Sequence, residues 1–572
     1  MKKVVRIIIV FLLLFFVGVK KVSALTVEEN LTLEKDIRDG LYIPQGKTVT
    51  INLNGHSITG MINKKNYTAT IINEGTLIIE GDGEIKSSSH KAVINQKKLT
   101  INGGTFISEK NDYNILSDGE SLIINKGSFN QGILLKNSSN YKVRKFEING
   151  GNFDKYKSKI YLNNSNNEKN TYKDIIIKNI IIEKLILENH LANIETNENI
   201  VIENTSITGK NNSFIYIGKG NIFIKNMECS NGIIKGIPKK IYIENGKFDT
   251  LGISGNSNST NTTLINLIVT SQLYIENPNN NAIIKSGYYE EISSYKQAVS
   301  EPLGSNITIE GGKINKLNGY GEGKINVKGG TITGTIVSDN ASTITIENGV
   351  FKGALISNNT PVNKKVNGNG IFDIEGGTFD IEPSNEFINQ EYIKETSIEN
   401  KIIVTKENDI YNEISSNIID ATMINEKDLE LIKNKANNKY NIISYYNVSN
   451  SKMTGNKELI NYVKETEKYT DVTLKLPDNL PITEEDKKIK YVLIGLNDGD
   501  AYIIDNIQVN YNEIVFKTNK FSTYALAYYD TNNDSKNNVK KMKKPTNKKR
   551  KYREIIGFLN SLIIPSKIII TS

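Results

Sequence analysis

The chain has one cysteine, no tryptophan, three histidines and ten prolines in 572 residues. A lone Cys229 excludes an intramolecular disulfide, so stability must come from burial and hydrogen bonding. Cys229 lies where other repeats carry a buried apolar residue, and it reads as a small core hydrophobe rather than a reactive thiol. His56, His90 and His190 are far apart in sequence, and no zinc spacing, phosphate loop or nucleophile elbow is present. We therefore expect no metal and no cofactor. His56 reads as a cap residue with its ring hydrogen-bonded.

Acidic and basic residues are unevenly placed. Lys2, Lys3 and Arg6 precede an apolar run from Ile7 to Val19, and Val22-Ser23-Ala24 is a small-residue cleavage site, so residues 1–24 read as a secretory signal peptide. That segment carries five positive charges and residues 536–553 carry ten, neither with an acid. Of a formal net charge of +8, the body from 25 to 535 is left with −7. An acidic body argues against a nucleic-acid partner, since phosphate binding draws on Lys and Arg. Residues 531–572 read as a basic disordered tail with a short apolar end. That end is broken by Asn560, Pro565 and Lys567, so membrane contact is expected only during export or through the tail.

What fills the body is a repeated phrase: an alternating strand, Asn or Glu, a Gly-Gly or substitute, a polar residue and a large apolar one. It reads Leu99-Thr100-Ile101-Asn102-Gly103-Gly104-Thr105-Phe106, and returns as Phe146-Glu147-Ile148-Asn149-Gly150-Gly151-Asn152-Phe153 and Ile307-Thr308-Ile309-Glu310-Gly311-Gly312-Lys313-Ile314. Gly329-Gly330 and Gly376-Gly377 mark later copies, and degenerate copies end near Ile181, Ile207, Cys229, Ile268 and Tyr289. Final apolar positions from Ile58 to Phe379 recur about every 23 residues, a solenoid period. The spacing varies widely, which a β-solenoid accommodates by looping out residues between short strands. Period-2 alternation makes each copy a half-buried strand. The glycines allow positive φ at a sharp turn, and an Asn amide is placed to bond the identical Asn one coil above. Coils stacked at about 4.8 Å give an all-β parallel helix over 48–384, with 25–47 as an N-terminal cap.

After about residue 382 the repeats stop. Glu426 to Asn437 reads as an amphipathic helix and Glu458 to Thr466 as a second. Asn497-Asp498-Gly499 marks a hairpin. Residues 385–530 are expected to form a smaller β-rich accessory module with short helices.

Gly46-Lys47-Thr48-Val49-Thr50-Ile51-Asn52-Leu53-Asn54-Gly55-His56, Ala69-Thr70-Ile71-Ile72-Asn73-Glu74-Gly75-Thr76-Leu77-Ile78-Ile79 and the Asn-Gly-Gly-Thr-Phe copies carry a resemblance. They resemble β-helical repeat proteins displayed on Gram-positive bacteria, whose fold is the right-handed pectin-lyase-like β-helix. Lys520-Phe521-Ser522-Thr523-Tyr524-Ala525-Leu526 is similar to the F-S-T-Y-A module that precedes the wall-sorting signal in such proteins. The resemblance implies a secreted protein of the cell surface or cell wall. The sorting motif is reduced to Lys544-Pro545-Thr546-Asn547 with no clean apolar span after it, and a truncated or frameshifted natural terminus is expected.

Catalysis on this fold needs paired carboxylates, or an Arg or Lys base with acidic calcium ligands. Asp82 with Glu84, Glu109 with Asp112, Asp118 with Glu120, and Asp373 with Glu375 all lie in or beside repeat turns, where acids are ordinary solvated residues. No catalytic residue is assigned. The 28 tyrosines are the functional hint: Tyr288, Tyr289, Tyr445 and Tyr446 are the ligand-binding candidates, with Tyr528-Tyr529 beside them, against a reading as strand core. Two functions remain open. One is a non-catalytic scaffold or adhesin that binds an extracellular glycan, a cell-wall polymer or another cell. The other is a polysaccharide lyase or glycoside hydrolase. End-to-end self-assembly is a third possibility.

Overall fold

Alternating apolar residues place the strands of each coil on three faces around one apolar interior. The computed structural model describes residues 24–531 apart from positions 65, 137–142, 165–170, 190–198, 219, 237, 255–259, 277–279, 295–303, 360–367, 479, 481–488 and 511. The expected signal segment (but for Ala24), His190 and all but the first residue of the basic tail lie outside the described residues.

On the first face, Gly40–Ile43, Tyr67–Asn73, Lys91–Asn95 and Tyr113–Ser117 pair in parallel and align Leu41, Ile71, Val93 and Ile115 in one inward column. On the second, Thr48–Asn52, Thr76–Glu80, Lys98–Ile101 and Ser121–Ile124 align Val49, Leu77, Leu99 and Leu122, and beside them Ile51, Ile79, Ile101 and Ile124. On the third, Ile58, Ile85, Phe106, Phe129 and Phe153 form a single column. The Phe106, Phe129 and Phe153 rings stack at 4.9 and 4.6 Å, nearly parallel. That distance is the coil rise itself, about 4.8 Å, so identical residues on successive coils stack without adjustment. One sheet of 37 strands runs from Ala24–Thr26 to the last coil's closing hairpin, so the repeats share a continuous ladder rather than folding as separate units.

The corner between the second and third faces is longer in the first coils, where Ile51 and Ile58 are seven positions apart and Ile79 and Ile85 six, and is constant thereafter. Its flanking inward residues stay five positions apart, from Ile101 and Phe106 through Ile224 and Cys229 to Ile374 and Phe379. The chain meets that spacing in two ways. In the early and late coils the second glycine of the pair is left-handed, as at Gly104 (φ 85°), Gly151 (132°), Gly312 (105°), Gly330 (96°) and Gly377 (111°). In the middle coils a left-handed asparagine does the same work: Asn179, Asn204, Asn226, Asn245 and Asn266, with φ from 48° to 57°. Only the second glycine uses positive φ. Gly103, Gly311, Gly329 and Gly376 are small for another reason: a Cβ there would fall 2.2–2.8 Å from a backbone oxygen of the coil below. Gly150 is less confined, with its nearest such oxygen at 3.4 Å.

The expected asparagine ladder is present at this corner. Asn125 donates to Asn102 (2.9 Å) and Asn149 to Asn125 (2.8 Å). Asn179 donates to the Asn149 carbonyl (3.1 Å), and Asn204, Asn226, Asn245 and Asn266 each donate to the asparagine before, at 2.8–3.2 Å. From Ile101 onward, variation in coil length falls elsewhere. The link from the first face to the second runs only from Asn73 to Thr76 in one coil, and from Ser293 to Asn306 in another.

Two repeat ends shift by one residue from the sequence expectation. Ile182 and Val269 point inward, leaving Ile181 and Ile268 outside. With a side-chain period of two, a one-residue slip exchanges faces, and adjacent apolar residues hid which of each pair was core. The expected cap at 25–47 is itself a coil, since Ala24–Thr26 pairs in parallel with Gly40–Ile43. At the other end Gly377–Phe379 pairs antiparallel with Ile402–Lys406, which pairs antiparallel with Tyr392–Thr396. The first unit therefore extends to Glu407 rather than ending near 384.

The second unit starts at Asn408. An antiparallel sheet of Tyr411–Ile419, Asn441–Met453, Thr523–Asp530, Ile489–Asn497 and Asp500–Ile504 has a three-stranded sheet as companion, Glu465–Lys475, Glu513–Lys520 and Ile507–Val509. The expected helix forms over Glu426–Ala436. Asn425 caps it by accepting from the Asp428 amide, left-handed Asn437 ends it, and Ile432 and Ala436 bury against Val492, Ile494 and Ala527. The expected second helix over 458–466 is instead the strand Leu459–Tyr462 and the start of Glu465–Lys475: pairing of Leu459–Tyr462 with Asn441–Met453 prevails over a weak helical pattern that holds the strand-favouring Ile460, Tyr462 and Val463. Asp498 and Gly499 are both left-handed between paired Asn497 and Asp500, the two-residue hairpin the sequence signals.

Asn226 links ladder and corner, which gives a direct test. Asn226→Gly keeps the left-handed backbone and loses the side-chain bonds, at a cost of about 1 kcal/mol. Asn226→Ala loses the same bonds and adds about 1–2 kcal/mol for a left-handed Cβ. Chemical denaturation should rank the alanine variant below the glycine variant, and the reverse order would refute the account of the corner.

Candidate functional site

Burial removes two of the four tyrosines singled out from sequence. Tyr289 fills the inward column between Val269 and Ile314, its hydroxyl donating to the Ser286 carbonyl (3.1 Å). Desolvation pushes its phenol pKa well up. Tyr446 is core in the second unit and donates to the Lys475 carbonyl (2.8 Å). Rings without exposed surface offer no platform to a ligand, so both are corrected to packing residues. Tyr445 lies half-buried against the cluster around Ile432, Tyr528 is buried, and Tyr529 meets Tyr440 edge-on at 5.3 Å. These positions are strand core, the reading the sequence set against ligand binding.

Tyr288 remains, 37% exposed on the outward side of the third face. Its neighbour on the coil below is Ile268, 45% exposed, and Lys247 and Lys313 stand on the outer flanks of the two. Two positions along, the chain rounds a corner between inward Tyr289 and Ile292, so the consecutive Glu290 and Glu291 both face outward. Glu290 accepts from the Tyr288 hydroxyl (3.1 Å) and from Asn315 Nδ2 (2.6 Å). Glu291 accepts from Gln272 Nε2 (2.8 Å) and Asn318 Nδ2 (3.0 Å). The row continues below, where Thr270 donates to Asp249 (2.8 Å), and above, where Thr333 donates to Asn315 Oδ1 (3.3 Å). The hydrogen bond to Glu290 and its charge raise the Tyr288 pKa, keeping the phenol protonated.

An exposed ring and an isoleucine thus lie beside a row of carboxylates and amides running from coil to coil. That combination suits a polyhydroxylated ligand: an apolar surface for a sugar face, flanked by planar donors and acceptors. It does not suit acid–base hydrolysis, because each carboxylate is already engaged by neighbouring donors. Sequence reading found Tyr288 and missed Ile268, Glu290 and Glu291. The signal was two acids directly after a tyrosine pair, with Gln272, Asn315 and Asn318 one coil away on either side.

The acidic pairs set aside in the sequence are structural or solvated. Glu84 pairs with Lys86, Glu120 with Lys97 (2.7 Å) and Lys98 (3.1 Å), and Asp373 accepts from Asn389 (3.1 Å). Asp118 is different: it is buried and meets the equally buried Arg144 at 3.1 Å, while Arg144 also donates to the Lys136 carbonyl (2.7 Å). Apart from Arg38, Arg144 is the only arginine between residues 25 and 535, a signal that was legible in the sequence. Its Nη1 donates to a buried carboxylate and to a carbonyl at once, holding the two together. Among the described residues no group of three or more His, Cys, Asp or Glu is placed to hold a metal ion, and no helix is long and apolar enough to cross a membrane. No protein-family model, curated protein or solved structure matches the chain.

Cys229 and His90 give two measurable outcomes. Cys229 lies buried between Ile207 and Phe248 in the inward column, and burial raises its thiol to about 11. A thiol reagent at neutral pH should leave the native protein unlabelled and modify one thiol after denaturation; rapid native labelling would contradict the packing. His90 is buried beside Thr70 (3.3 Å), and desolvation lowers its pKa. Its neutral form is favoured in the fold, so its stabilising contribution is full above about pH 6.5, the unfolded value, and is lost as pH falls through the lower folded value. The melting temperature should drop between pH 7 and pH 5, and His90→Asn should flatten that drop.

Proposed function

We propose that this protein is exported and displayed on the cell surface, where the solenoid acts as a non-catalytic scaffold or adhesin that binds an extracellular or cell-wall glycan. The observation that carries this reading is the Ile268–Tyr288 surface beside the amide-held Glu290 and Glu291. Sugar rings stack on apolar surface and bond to planar polar groups, and successive coils offer both at a spacing close to the length of one sugar ring. The engaged carboxylates favour binding over turnover. The Lys2–Ala24 leader and the avoidance of cysteine pairs support export without disulfides. The ten positive charges of 536–553 give the tail an affinity for anionic wall polymer or membrane.

A panel of cell-wall and acidic polysaccharides, titrated by calorimetry, tests the reading. At least one should bind, and Tyr288→Ala should weaken it roughly three- to tenfold, the scale of one lost aromatic contact. Tyr445→Ala should leave the affinity unchanged. Sustained formation of reducing ends or of unsaturated, ultraviolet-absorbing products would overturn the non-catalytic reading in favour of a lyase or hydrolase. Absence of binding to every polymer would overturn the glycan reading.

A further inference from the structure

The outward side of the second face carries a pattern that neither the core nor the glycan patch uses. Four successive strands lie there, at Thr171–Ile182, Asn199–Ile207, Asn221–Gly236 and Lys240–Glu244, in continuous parallel register. Their central outward residues are Ile176, Val201, Phe223 and Tyr242, half-buried side chains on the outer surface, with the Tyr242 hydroxyl donating to Glu244 (3.2 Å). On one flank stand Lys178, Glu203, Lys225 and Glu244, alternating in sign. On the other stand Asp174, Asn199, Asn221 and Lys240, opposite charges at the ends and amides between.

Alternation along the first flank has a role within the chain, since Lys178 meets Glu203 at 2.8 Å and Lys225 meets Glu244 at 3.5 Å. Lys240 also has a role within the chain, its ammonium lying over the Phe223 ring at 5.5 Å from the centroid. Intrachain contacts do not account for an apolar row continued over four coils of an outer face, nor for an acid and a base closing opposite ends of the amide flank. A two-fold axis running along the strands, between Val201 and Phe223, accounts for all three. It sets a second copy face to face with its coils in reverse order. Lys178 then opposes Glu244, Glu203 opposes Lys225 and Asp174 opposes Lys240, while Val201 meets Phe223 and Ile176 meets Tyr242. Further out, Glu147 falls opposite Thr263 and Ile123 opposite Ile283, and no like charges are opposed from Lys98–Ile101 to Asn306–Ile309.

We propose that this face is the interface of an antiparallel, side-by-side dimer, its occupant a second copy of the same chain. Ten coils at about 4.8 Å, each presenting five residues at about 3.3 Å, offer roughly 790 Å² per partner, close to the ~800 Å² per partner of a standard stable interface. The face is self-complementary, as a two-fold interface requires. The glycan patch lies on the third face, so this proposal stands or falls separately from the proposed function.

Sedimentation velocity on the full-length protein is the test. The wild type should sediment at twice its 64.0 kDa at about 10 μM, since interfaces of this size hold in the micromolar range or tighter. Phe223→Asp should shift the dimer toward monomer by at least tenfold in concentration, and Val201→Glu, one coil away, should do the same; circular dichroism and melting confirm that each variant is folded. The fourfold reversal Lys178→Glu, Glu203→Lys, Lys225→Glu and Glu244→Lys keeps the alternation within the chain and should dimerise with itself. Mixed with wild type it would oppose like charges at all four positions of that flank, leaving only the Asp174–Lys240 contacts complementary. Donor- and acceptor-labelled mixtures should therefore show far less energy transfer between the two forms than within either. A wild-type monomer at that concentration, or a dimer that tolerates both central charges, overturns the proposal. A reversal variant that stays monomeric, or that pairs freely with wild type, overturns the antiparallel register.

Discussion

Everything in the first unit depends on each coil hydrogen-bonding in parallel register to the coil below it. Parallel stacking fixes the distance between equivalent residues at about 4.8 Å, which then dictates what each column holds. Aromatic rings at that distance stack, asparagine amides bond in series, and apolar side chains close the interior. Like charges at that distance repel, which alternation in sign avoids along the column Lys178, Glu203, Lys225 and Glu244.

The same constraint explains where function can sit. Inward positions are committed to packing, and corners with fixed spacing are committed to turning. What is left is the outward side of the faces and the corners where the chain protrudes. Tyr288 with Glu290 and Glu291 occupies one such place, at a corner where two consecutive residues leave the core together. Adjacent coils supply the partners, Gln272 from below and Asn315 and Asn318 from above, so the patch is a property of the stack and belongs to no single repeat.

Much of the solenoid was legible because its signal is repeated. Copies such as Leu99 to Phe106 and Phe146 to Phe153 state strand, turn and inward residue together, and the asparagine ladder followed from their spacing. Legibility failed where local chemistry was ambiguous. Ile180-Ile181-Ile182 and Leu267-Ile268-Val269 contain more apolar residues than the core takes, and only pairing with the neighbouring coil decides which face each one occupies. Tyrosine pairs posed the same problem: Tyr288 and Tyr289 are chemically identical and point in opposite directions. The closing hairpin Tyr392–Thr396 and Ile402–Lys406 was hidden for a different reason, since its pairing to Gly377–Phe379 is antiparallel and lies outside the repeat. The polar row beside Tyr288 brings together residues from Asp249 to Thr333, contacts that exist only once the coils are stacked.

The constant five-residue corner has an evolutionary consequence. Each coil touches only the one above and the one below, so a duplication that starts and ends at equivalent points of that corner adds a whole layer and leaves its neighbours' contacts intact. Deletion removes one as cleanly. Recombination between similar stretches of the gene can therefore lengthen or shorten the molecule in steps of about 4.8 Å, altering its reach without redesigning its interior.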